Sequence, residues 1–174
     1  QLSKHLNQGF DFESYPLPDS LLSNQIISCF VDSRKSQAII GAMGDFLLLD
    51  LKTGKYRSTG WRTYVRKQIP LFKPLLQGSS IIPKSGDEYW LLATNGLFSY
   101  STKTHLFNYY PSDLIREFQG LSLYTSVHNK LWMGSYNNGI VAFDIESKTW
   151  KSWLLPDSLL DSHHLQSVYS LQVI

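Results

Sequence analysis

The chain has 174 residues, 43% hydrophobic and 17% charged, a globular composition that excludes a disordered or fibrous polypeptide. Its net charge of +2 is too small to imply a nucleic-acid partner, and its single cysteine, Cys29, excludes an intrachain disulfide. No apolar stretch approaches the roughly 18 residues of a membrane-spanning helix. Aromatic residues reach 14%, and recurring Gly and Asn add turn signals, so strands are favoured over helices. The chain begins at Gln1, so a targeting peptide is expected to have been removed or to lie outside this sequence.

In chain order, residues 10–15 read as an outer strand, and residues 26–31 (Ile-Ile-Ser-Cys-Phe-Val) as an apolar inner strand in which Cys29 is expected to be a small buried hydrophobe. Residues 39–50 read as two strands joined at Met43-Gly44, and a turn at 51–54 leads to an outer strand at Tyr56. A long connection follows at 58–74. The pattern returns at 90–100 with a turn at Asn95-Gly96 and an outer strand holding Phe107 and Tyr109. It returns again at 121–127 and 132–144, with a turn at Asn138-Gly139 and an outer strand holding Trp150 and Trp153. Glycine is suited to all three turns because a positive φ is sterically cheap there. Residues 166–173 read as one more inner strand.

Pro-Asp-Ser-Leu-Leu stands at 18–22 and, identically, at 156–160, an offset of 138 positions. That is three periods of about 46, the length of a propeller blade. The expected fold is therefore all-β: a partial β-propeller with blades at roughly 25–58, 78–110 and 121–154, flanked at 10–15 and 166–173 by strands of broken blades. Trp90 and Trp132 fall at equivalent positions and are expected to pack between blades. The raw edges call either for remaining blades of the same protein, the preferred reading, or for a second copy of the chain.

Leu131-Trp-Met-Gly-Ser135, Asn138-Gly-Ile140 and Phe143-Asp144, with the lead-in at 21–27, resemble the two-component regulator propeller repeat. The first unit departs from that pattern, with Ala38-Ile39 at the Trp position and no Gly after Asp32, and the third lacks Asp-x-x-Gly before Trp132. Proteins with this repeat are typically hybrid sensor histidine kinases of gut Bacteroidetes, in which two propellers and an immunoglobulin-like module form a periplasmic sensor for glycan fragments. The resemblance implies that this chain is part of such a sensor, with the full-length protein in the inner membrane, the kinase outside this sequence and no enzymatic activity here. The alternatives are a propeller-based lyase or glycosidase and a protein-interaction scaffold. A glycosidase needs a close pair of carboxylates, and the loops here offer mainly Asn, Gly, Ser and Arg.

No cofactor or metal is expected. His163 and His164 are adjacent, so on a strand they point to opposite faces. The candidate ligand site is the 58–74 connection, because Leu51 to Gly86 contains no Asp or Glu while holding half of the 16 basic residues. Trp61 and Tyr64 would stack on a sugar ring while Arg62 and Arg66 bind its carboxylate or sulfate, making an oligosaccharide the expected partner. The bland alternative is that Trp61 and Tyr64 only pack on the neighbouring blade. Asn137 and Asn138 are the second candidate contacts, on the propeller face that also carries the connections between blades.

Overall fold

The computed structural model describes residues 14–19, 25–68, 78–93, 96–112, 114, 120–125, 129–135 and 139–153. Among the described residues, twelve strands form three antiparallel sheets of four. The first holds β1 (Ile26–Asp32), β2 (Gln37–Ala42), β3 (Asp45–Asp50) and β4 (Tyr56–Ser58). The second holds β5 (Gly78–Ser85), β6 (Glu88–Ala93), β7 (Gly96–Ser101) and β8 (Phe107–Tyr110). The third holds β9 (Gly120–Thr125), β10 (Lys130–Ser135), β11 (Ile140–Asp144) and β12 (Trp150–Trp153). Strand order follows the sequence in every sheet, and β1 lies beside β5 and β5 beside β9, so the first strands form the inner edge of a radial stack.

Local chemistry repeats with the sheets. Ala42 pairs with Asp45 around the tight Met43-Gly44 turn, where Gly44 has φ 93°. At the other end, the turns from third to fourth strand are held by the last residue of the third strand. The Asp50 carboxylate accepts from the Lys52 and Thr53 amides at 2.8 and 3.0 Å, and Asp144 from the Glu146 and Ser147 amides at 3.1 and 2.9 Å. Ser101 does the same for the Thr104 amide at 3.2 Å. These Asx- and Ser-type turns give the chain a hydrogen-bonded way to reverse without a longer loop.

Side-chain alternation decides which face each residue joins. In the first sheet, Ala38, Ile40, Leu47 and Leu49 form one face and pack with Tyr15. Ile39, Phe46 and Leu48 form the other and pack with Tyr89, Leu91 and Ala93 of the second sheet. Trp90, Leu92 and Leu97 then meet Leu131, Met133, Val141 and Phe143 of the third. Each interface is a continuous apolar layer, the main source of stability in such a stack. Trp90 is buried between sheets as expected, while its equivalent Trp132 is half-buried against Trp153, with ring centroids 5.1 Å apart.

Two expectations are corrected. Cys29 is exposed, because it shares its face of β1 with the exposed Val31 and not with Phe30, which packs toward the second sheet. Phe30 turns toward Tyr89, whereas Cys29, paired with Ile40, and Val31, paired with Ala38, point the opposite way, and Val31 is exposed as well. The 58–74 connection is not all loop: residues Trp61–Gln68 form a helix, α1. No Gly or Pro interrupts it, Gly60 precedes it and Pro70 follows it, and Trp61, Tyr64 and Val65 fall on one helical stripe. The flanking strands expected at 10–15 (apart from residues 14 and 15) and 166–173 lie outside the described residues.

Candidate functional site

Helix α1 begins where β4 ends, at the same end of the first sheet as the Met43-Gly44 turn. Gly60 is its N-cap, with its carbonyl accepting from the Tyr64 amide at 3.0 Å, and just before it the Thr59 hydroxyl donates to the Phe46 carbonyl at 2.8 Å and accepts from the Trp61 amide at 3.3 Å. One residue earlier, the Ser58 hydroxyl donates to Asp45 Oδ2 at 2.7 Å and accepts from the Gly60 amide at 3.0 Å. Asp45 Oδ1 accepts from the Phe46 amide at 2.8 Å. Burial pushes the Asp45 carboxyl above its usual range, and the Ser58 hydroxyl, the Phe46 and Arg62 backbone and the Arg62 charge pull part of the way back. This buried acid, which sequence reasoning missed, anchors the start of the helix; its signal was its place next to the Gly44 turn.

One side of α1 is a wedge between the first two sheets. Trp61 and Val65 are fully buried. The Trp61 ring stands edge-on to Phe46 at 5.0 Å and to Phe98 at 5.7 Å, joining β3 to β7. Tyr64 is half-buried, 5.3 Å from Phe107 and 6.5 Å from Phe98, and burial raises its phenol pKa. Trp61, expected to offer a stacking face, offers none: its ring is core. Tyr64 keeps part of its surface.

The other side of α1 is basic. Arg62 is half-buried, and Thr63, Arg66, Lys67 and Gln68 are exposed. Arg62 and Arg66 are four residues apart and so share a helical face, where like charges disfavour the helix by roughly 0.2–0.5 kcal/mol. An anion bridging the two guanidinium groups would reverse that repulsion. Asn137, Asn138, His163 and His164 lie outside the described residues. Among the described residues no cluster of three His, Cys, Asp or Glu side chains could hold a metal ion, and no helix is long and apolar enough to cross a membrane.

No protein-family model matches the chain, and no curated protein matches it. Solved structures do. The extracellular domain assigned to the hybrid two component system BT4673 from B. thetaiotaomicron is 17% identical over 85% of this chain and 18% of its own, with a TM-score of 0.62. The corresponding domain of BT3049 from the same organism is 15% identical over 80% of this chain and 18% of its own, with a TM-score of 0.56. The described chain is three blades of a β-propeller. At that identity the likeness shows the fold, and the blades span under a fifth of the length of either domain. Both domains come from the class of system whose repeat the sequence resembles. Blade 1 is the sheet β1 to β4, blade 2 is β5 to β8 and blade 3 is β9 to β12, with α1 inserted between blades 1 and 2.

Proposed function

We propose that this chain is a ligand-sensing extracytoplasmic propeller module of a hybrid two-component sensor, which detects a glycan fragment and signals to a kinase elsewhere in the full protein. The observation that carries the reading is the match of its three blades to extracellular domains of two such systems. The flanking segments 10–15 and 166–173 would supply strands to adjoining blades of the same propeller. Ligand binding would then bias the packing of the module and, through it, the kinase.

The site proposed for the glycan is the exposed face of α1. Arg62 and Arg66 would hold a carboxylate or sulfate by charge-assisted hydrogen bonds worth roughly 1.5–3 kcal/mol each, with the exposed part of Tyr64 beside the sugar ring. Asn137 and Asn138 form the second candidate contact. Titration calorimetry of the chain against uronate-containing, sulfated and neutral oligosaccharides tests this. Arg62→Ala and Arg66→Ala should each weaken binding of the acidic sugars about tenfold or more, since about 1.4 kcal/mol is a factor of ten. Equal affinities of wild type and both variants would remove α1 from the site and move the search to Asn137 and Asn138. Cleavage of the oligosaccharide would overturn the sensor reading in favour of an enzyme.

A further inference from the structure

At the end of the stack opposite α1's N-cap, blades 1 and 2 are joined by a polar cluster that the repeat does not predict. Asp32 closes β1 and is only 3% exposed. Its Oδ2 accepts from the Tyr89 hydroxyl of blade 2 at 2.7 Å, and its Oδ1 accepts from the Arg34 amide at 3.2 Å and Arg34 Nε at 3.3 Å. The Tyr89 oxygen in turn accepts from Lys35 Nζ at 3.1 Å and Gln37 Nε2 at 3.3 Å. Lys35 Nζ also donates to the Gly86 carbonyl at 2.8 Å and lies 2.7 Å from Asp87 Oδ1. One phenol from blade 2 thus has its donor and both acceptor positions used by blade 1. The Tyr89 hydrogen bond is the main reason the Asp32 carboxyl is held below its usual range.

We infer that Asp32, Lys35 and Tyr89 form a lock that holds blades 1 and 2 together as one rigid body. Apolar layers between blades recur along the stack, but at the position of Tyr89 blade 1 has Ala38 and blade 3 has Leu131, neither of which has a hydrogen-bonding group. The lock is therefore a property of this boundary and not of the propeller repeat. Helix α1 wedges the same boundary from the other end through Trp61, so the joint is fixed at both ends. Lys35 lies 5.1 Å from the Tyr89 ring centroid, and Phe30 packs 5.7 Å from it, so ring and hydroxyl are held separately. Tyr89→Phe accordingly removes the lock while keeping the packing.

Hydrogen exchange of the full chain in sub-denaturing urea tests the inference without any ligand. In the wild type, the amides of β1, β2, β5 and β6 should exchange through one shared opening. Tyr89→Phe, and separately Lys35→Met, should raise exchange in β1, β2, β5 and β6 at least tenfold and leave β10 and β11 unchanged. The double variant should add less than the product of the two single effects, because both break the same cluster. Unchanged exchange in both variants, an equal rise in all three blades, or fully multiplicative effects would each overturn it.

Discussion

Trp61 provides a sharp test of the wedge between blades 1 and 2. Its side chain is 0% exposed and makes edge contacts to Phe46 at 5.0 Å and Phe98 at 5.7 Å. Trp61→Ala removes the whole ring from a site bounded by two sheets that cannot collapse onto it, which places the loss at about 3–5 kcal/mol. Trp61→Phe behaves differently. It keeps a six-membered ring in the cleft and removes an indole N–H that is buried without a hydrogen-bond partner among the described residues. An unsatisfied buried donor costs about 1–3 kcal/mol, so its removal offsets most of the lost contact area, and the net loss should be about 1 kcal/mol or less. Urea unfolding followed by far-UV circular dichroism reads both values, as midpoint shifts at constant m. A loss of similar size for Phe and Ala would show that the indole nitrogen is satisfied. A loss below about 1 kcal/mol for Ala would show that α1 does not wedge the blades.

Gly96 has φ 141°, and a Cβ there would lie 2.7 Å from Tyr109 Cε2, whose ring is stacked on Phe98 at 5.0 Å. Gly96→Ala should cost about 1–3 kcal/mol, more than Gly86→Ala, where φ is 54° but nothing lies within 4 Å; thermal melts of the two variants make the comparison. Asp45 gives a pH dependence of fixed sign. Its pKa is raised in the folded chain, so between the ordinary Asp value of about 3.9 and the higher folded value the folded state binds more protons than the unfolded state. This group's contribution to stability therefore falls as pH rises through that window and is constant above it. Asp45→Asn should remove that slope, so that the stability difference between variant and wild type moves in the variant's favour across the window, read by urea titrations at a series of pH values.

The three hairpins and their glycine turns were legible because strand alternation and turn chemistry are local. Gly44, Gly96 and Gly139 all adopt the positive φ that the sequence pattern called for, at 93°, 141° and 62°. Helix α1 is equally local, carried by Trp61, Tyr64 and Val65 on one stripe, but at eight residues it is short enough to resemble a connection between strands. Of the two rings expected at the ligand site, Trp61 is buried as core and Tyr64 keeps part of its surface. Trp61 and Tyr64 look alike in sequence as rings beside arginines, and only the position of blade 2 against the helix decides that Trp61 is core while Tyr64 is half-open.

What the sequence determined by itself was the repeating unit: period, strand order within a blade, the reversals, and a basic segment free of acids. What the tertiary structure alone decided was how the units meet. Cys29 and Phe30 are adjacent, yet one is exposed and the other packs on Tyr89, because alternation along β1 sends them to opposite faces and blade 2 lies against the face that carries Phe30. Asp32 and Tyr89 are 57 residues apart, and no spacing rule links them. Their hydrogen bond exists because stacking one blade on the next brings the turns at the ends of their inner strands side by side, so that hydroxyl and carboxylate meet in a layer from which water is excluded.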